Sequence, residues 1–116
     1  MIVKFDRSSV CMADDCTSHI EAKSYRDTIL LSGVLQELIT YVPSMYNSVW
    51  VISAKNTSKK YLGYIVTDRY ANSKIELNTA NTALLKLCTD NTMIMTINCN
   101  YYHQNTYYPH KSYYFF

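Results

Sequence analysis

The residue types best suited to chemistry crowd into one short stretch. In "SSVCMADDCTSH" (8–19), Cys11, Cys16 and His19 are donors of the kind that hold zinc, and Asp14 and Asp15 add adjacent carboxylates. A structural zinc site usually presents two tight ligand pairs, each with about two to four residues between partners. Here four residues separate Cys11 from Cys16, and the remaining cysteines, Cys88 and Cys99, make no second tight pair. A redox pair of thiols facing each other across a turn is the next chemistry such spacing could support. The simplest reading is the tip of a hairpin. Asp14 and Asp15 suit it, because short acidic side chains hydrogen-bond nearby backbone and tolerate unusual dihedrals. The expectation is a turn that holds neither metal nor cofactor.

Nucleophilic catalysis has no better support. His19, His103 and His110 could each activate a cysteine or serine, but sequence spacing joins none of them to a nucleophile. All three fall in stretches that read as exposed strand or tail. The only adjacent acids are those of the turn. With two glycines in the chain, Gly33 and Gly63, there is no dinucleotide fingerprint, phosphate loop or nucleophile elbow, each of which needs several. No catalytic residue is assigned, and the chain is expected not to be an enzyme.

The C-terminus is more unusual. In "NYYHQNTYYPHKSYYFF" (100–116) a Tyr-Tyr pair begins at 101, 107 and 113. An even period places Tyr101, Tyr107 and Tyr113 on one side of a continuous strand and Tyr102, Tyr108 and Tyr114 on the other. Pro109 argues against a central strand. A turn at "HQNT" would instead make Tyr101 and Tyr102 the cross-strand partners of Tyr107 and Tyr108. These rings can cover a sheet with their hydroxyls at the rim. They can equally form a contact surface, since tyrosine supplies large, rigid, amphipathic area. Half of the sixteen aromatics lie in the last sixteen residues, more than a domain of this size is expected to bury. An exposed remainder would mark a site for a protein partner or for self-association. Tyr101, Tyr102, Tyr107, Tyr108, Tyr113 and Tyr114 are therefore the candidate binding residues. The alternative partner is single-stranded nucleic acid, stacked on these tyrosines and held by Lys55, Lys59 and Lys60. That reading requires both groups in one groove, and a formal charge of +2 supplies little field by itself.

The elements that must position these residues can be read from hydrophobic period. "MIVKFDR" alternates, with Val3 and Phe5 on one face and Lys4 and Asp6 on the other, and "SHIEAKSY" repeats the pattern with Ile20 and Ala22 opposed to His19, Glu21 and Lys23. Joined by "CMADDC", the two predict an antiparallel hairpin with Lys4 or Asp6 near Glu21 or Lys23 on its exposed face. "DTILLSGVLQELITYV" changes to helical spacing through Leu31, Val34, Leu35, Leu38, Ile39 and Val42. Asp27, Thr28 and Ser32 are candidate caps, and Pro43 ends the helix. "SVWVISA" and "KYLGYIVTD", apolar on both faces, predict a second hairpin nearer the middle of the sheet. After the loop "RYANSK", "IELN" reads as a short strand or extended link. "TANTALLKLC" predicts about three turns of helix capped by Asn78 or Thr79. "NTMIMTINC" returns to strand spacing, with Met93, Met95, Ile97 and Cys99 on one face.

Strand, strand, helix, strand, strand, short helix, strand is the order of a single α+β domain, 1–116, of the β-grasp or ubiquitin-like kind. One amphipathic helix of three to four turns can cover the apolar face of such a mixed sheet. Another α+β sandwich with different pairing would share the same order.

The stretch "FDRSSVCMADDCTSH", followed by "DTILLSGVLQELI" and "NSVWVISAKN…YLGYIVTD", resembles small uncharacterised proteins of prophages and mobile elements in Gram-positive gut bacteria that carry a VCMxDD motif. The resemblance covers about the first two-thirds of the chain. It implies a mobile-element protein and carries over no site residues. The composition agrees with a folded, non-membrane chain: 48% of residues are hydrophobic, 17% are charged, and no apolar run reaches membrane-span length. With no cationic start before an apolar run, a cytosolic chain with reduced cysteines is expected. Together these readings predict a protein-binding domain, with a host protein as the partner if the mobile-element resemblance holds.

Overall fold

Alternation of apolar and polar side chains builds β1 (Ile2–Arg7), in which Val3 and Phe5 are buried and Lys4 is exposed. The computed structural model describes residues 1–9, 18–55, 57–89, 94–103, 107–108 and 111–112, with backbone alone for Ile94, His103 and the last four. The expected hairpin tip at 11–16, with Cys11 and Cys16, lies outside the described residues, as do Tyr113 and Tyr114. The strands that flank the tip do pair antiparallel, β1 with β2 (Glu21–Ser24).

Register corrects the expected face of β2. Val3 opposes Lys23 and Phe5 opposes Glu21, whereas Lys4 opposes Ala22. Directly opposed residues share a face, so Glu21 and Lys23 lie on the same side as the core residues rather than beside Lys4 and Asp6. An edge strand can carry charges on that side because its outer flank opens to solvent. All four residues of β2 are exposed. Lys23 uses the position to reach the helix, where its Nζ stands 3.2 Å from Glu37 Oε2.

The helical stripe forms α1 (Leu31–Tyr41), burying Leu31, Val34, Leu35 and Leu38. Val42, before Pro43, is already extended, as the proline requires. None of the expected caps is used. Leu30 occupies the cap position without a side-chain bond, and the backbone N–H of Ser32 donates to Asn81 Oδ1 at 3.0 Å.

The source of that cap also explains why the second predicted helix is largely absent. Thr82 and Ala83, which lead into the 3-10 turn, are held against the entry to α1. Leu31 N–H donates to the Thr82 carbonyl at 2.9 Å, Leu84 N–H to the Ile29 carbonyl at 2.8 Å, and Leu30 bridges Ala83. Only a single 3-10 turn remains, Leu84–Leu87, whose Leu84 and Leu87 enter the core. Its far end meets the next hairpin turn, where Ser58 N–H donates to the Leu87 carbonyl at 2.8 Å.

The remaining strands are β3 (Ser48–Lys55), β4 (Tyr61–Thr67), β5 (Ser73–Leu77) and β6 (Ile94–His103). The sheet runs β2-β1-β6-β3-β4-β5, with β1 and β6 parallel and every other neighbouring pair antiparallel. The fold class is thus α+β: among the described residues, a mixed six-stranded sheet with one α-helix. Its main core lies between α1 and the sheet and includes Phe5, Leu35, Trp50, Ile52, Leu62, Ile65, Met95, Ile97 and Cys99. β7 (Tyr107–Tyr108) and β8 (Lys111–Ser112) form a separate two-stranded ladder.

Candidate interaction surface

Alternation along β6 separates the first tyrosine pair. Tyr101 opposes Trp50 and packs its ring edge-on against the indole, with centroids 5.4 Å apart and planes at 61°. It belongs to the core layer beneath α1. Tyr102 opposes Val49 on the other face of the sheet and remains 37% exposed. The ladder partners of Tyr107 and Tyr108 are Ser112 and Lys111, not Tyr101 and Tyr102. The expected cross-strand stacking of the two pairs is corrected accordingly. Both flanks of β6 are engaged through most of its length by β1 and β3, and the following ladder is a separate two-stranded sheet.

Two exposed tyrosines that sequence pattern did not single out join Tyr102 at the same end of the sheet. β3 begins there, β4 and β6 end there, and Ser48 is paired with both Thr67 and His103. Tyr46, just before β3, is 63% exposed, and Tyr70, in the β4–β5 turn, is 68% exposed. The two loops touch through Asn47 N–H, which donates to the Asp68 carbonyl at 3.2 Å. Both loops are stiffened by local geometry. Asn47 and Ala71 adopt positive φ, 53° and 65°, conformations that cost energy for residues other than glycine. The Asp68 carboxylate accepts from the backbone N–H groups of Tyr70 (2.8 Å) and Asn72 (3.0 Å). Those bonds, with Asn72 the larger contributor, hold its pKa below the ordinary carboxylate value. The Arg69 guanidinium stands 4.9 Å from the centroid of the Tyr70 ring, within cation–π range. A helix-type or strand-type period carries no information about such turn residues, which is why Tyr46 and Tyr70 escape a reading by pattern.

The lysines lie elsewhere. Lys55, Lys59 and Lys60 are exposed around the β3–β4 turn, with Lys60 Nζ 5.4 Å from the Tyr61 ring centroid. Lys55 is six positions along β3 from Val49, the ladder partner of Tyr102, which is roughly 20 Å at strand rise. The structure therefore does not bring the basic cluster and Tyr102 together.

Potential ligand and nucleophile groups are likewise dispersed. No cluster of three or more His, Cys, Asp or Glu side chains suited to a metal occurs among the described residues. His19 is half-buried, its Nε2 3.2 Å from Ser9 Oγ, and its carbonyl accepts from the Tyr41 hydroxyl. Cys99 is fully buried in the core, and desolvation pushes its thiol up to about 12, which keeps it protonated and unreactive at neutral pH. Cys88, beside Thr57, is half-buried. No helix among the described residues is long and apolar enough to cross a membrane.

Comparisons with known protein families, with curated proteins and with solved structures return no match for this chain.

Proposed function

We propose that the chain is a non-enzymatic protein-binding domain whose contact surface is the aromatic end of the sheet. Tyr46, Tyr70 and Tyr102, with Arg69, come from three separate segments and face solvent at the point from which the tyrosine-rich C-terminus departs. That convergence is the observation that carries the reading. Tyrosine and arginine dominate the energetics of protein interfaces because they bury large area at modest entropic cost. The C-terminal tyrosines Tyr107, Tyr108, Tyr113 and Tyr114 extend the same surface in this reading, while Tyr101 supports it from within.

We further propose a β-grasp-type architecture. The parallel pairing of β1 with β6, the antiparallel hairpins on either side and the helix crossing one face all support it, with β5 as an added edge strand. A cytosolic setting belongs to the same proposal, and the buried, reduced thiol of Cys99 agrees with it. The likeness to mobile-element proteins points to a host protein as partner, inhibited or recruited by this domain.

The test compares the native chain with the variant Tyr46→Ala/Tyr70→Ala/Tyr102→Ala in affinity capture from a Gram-positive host lysate, followed by binding measurements with the captured protein. The expected result is at least a tenfold loss of affinity with an unchanged unfolding midpoint. Equal affinity in the variant would remove the aromatic end as the contact surface.

A further inference from the structure

The face of the sheet turned away from α1 carries its own apolar cluster. Val49, Val51, Tyr64 and Val66 are between 0 and 6% exposed, with Tyr61 packed beside them. Every member belongs to β3 or β4. The helix and the 3-10 turn that bury the main core contribute nothing to this cluster. A single sheet layer cannot hide side chains on its own outer face; they must be covered by a second layer. The residues that border the cluster across the strands are polar except at the end where β6 leaves the sheet: Asn100 opposes Val51, Lys74 opposes Val66, Glu76 opposes Tyr64, and Tyr102 opposes Val49. The apolar stripe is therefore a bounded strip along two strands, the footprint of a narrow cover.

We propose that this strip is the seat of the chain's own C-terminal segment, residues 104–116. Connectivity selects it. β6 ends at His103, opposite Ser48, with Tyr102 opposite Val49, so the chain leaves the sheet directly alongside the cluster. The link after β1 starts two strands away, and the chain enters β6 at the far end, beyond the Thr96–Lys55 pair. Reach is ample: the four residues from 104 to Tyr107, before the β7–β8 ladder folds back, extend up to about 13 Å, against roughly 5 Å between adjacent strands. Chemistry agrees as well. Six of the last ten residues are aromatic, Tyr107, Tyr108, Tyr113, Tyr114, Phe115 and Phe116, a payload large enough to desolvate a strip of valines and a tyrosine. Adjacent residues of an extended segment take opposite faces, so a doubled tyrosine that covers the sheet with one ring offers the other to a partner.

Tyrosine nitration of the purified full chain, mapped by peptide mass spectrometry, tests the assignment without any partner present. Tyr64 is expected to react at less than a tenth of the rate of Tyr46 and Tyr70. In a full-length variant with Tyr107, Tyr108, Tyr113, Tyr114, Phe115 and Phe116 each changed to Ser, Tyr64 nitration should rise at least tenfold while amides of 31–41 stay protected from exchange. Continued protection of Tyr64 in that variant, or fast reaction in the native chain, overturns the proposal. Because the sixfold variant could fail to fold, a photo-cross-linker placed at Tyr113 in the otherwise native chain gives a second measurement. Cross-links within one molecule to 48–55 or 61–67 support the seat. Cross-links to a second copy, or only to other parts of the chain, overturn it. Failure to capture a host protein leaves this result unaffected, so the two readings fall separately.

Discussion

A Cβ added at Gly63 would stand 2.4 Å from the Glu76 carbonyl oxygen and 2.7 Å from Leu35 Cδ2. The first contact is with backbone of the neighbouring strand, which cannot yield without opening the β4–β5 ladder, and the second is with the buried stripe of α1. Gly63→Ala should cost about 1–3 kcal/mol, read as a lower urea midpoint with an unchanged slope. Gly33 is the control. Its added Cβ would meet only the end of the Ile29 side chain, at 3.2 Å, and alanine there gains up to about 1 kcal/mol of helix propensity. Titrating groups supply a second prediction. Glu37 is held below the ordinary carboxylate value first by the Tyr25 hydroxyl and then by Lys23, while Tyr25 is raised by burial and by its bond to Glu37. A depressed acid contributes stability above its unfolded pKa of about 4.3, and that contribution is lost as pH falls through the folded value. A raised phenol contributes stability in full below about pH 10, and loses it as pH climbs towards its folded value. Urea midpoints measured against pH should therefore fall on both limbs, and Glu37→Gln should reduce the acid-side fall.

The elements were legible where one face is buried and the other is wet. β1, α1 and the buried face of β6 follow their periods: Val3 and Phe5, then Leu31, Val34, Leu35 and Leu38, then Met95, Ile97 and Cys99 are all buried as spacing predicts. β3 and β4 were legible as central strands for the opposite reason, being apolar on both faces. Legibility failed where tertiary contacts outbid local preference. "TANTALLKLC" has helical composition, but its first half is spent capping and pairing with the entry to α1, a long-range use that no local pattern records. β2 misled because an edge strand can point lysine and glutamate toward the core side and still keep them in water. The distant cap yields a prediction at this scale. Asn81→Ala removes the acceptor for Ser32 N–H, and should lower stability by about 0.5–2 kcal/mol. Amide exchange should accelerate at the first turn of α1 before its last.

For the whole molecule, the class α+β was open to a sequence reading, but the position of β6 between β1 and β3 was not. Strand order depends on which apolar faces meet after the chain has folded back. The candidate surface was legible only through Tyr102 and the tail, because Tyr46 and Tyr70 sit in turns that become neighbours through the β3–β4–β5 meander. The separation of Tyr102 from the β3–β4 lysines predicts no retardation of single-stranded RNA or DNA in a gel shift at low salt, where phosphate contacts are strongest. The insertion of β6 has a further consequence, for biosynthesis. β1 gains its parallel neighbour, at the centre of the sheet, only when a strand some ninety residues downstream has left the ribosome. Nascent chains stalled before Ile94 should be protease-sensitive throughout β1 and β3, acquiring resistance in one step once His103 has cleared the exit tunnel. Joining of such distant segments also sets a slow pace for refolding, so the leucine stripe of α1 spends its longest exposure before the centre closes, which is when a chaperone would meet it.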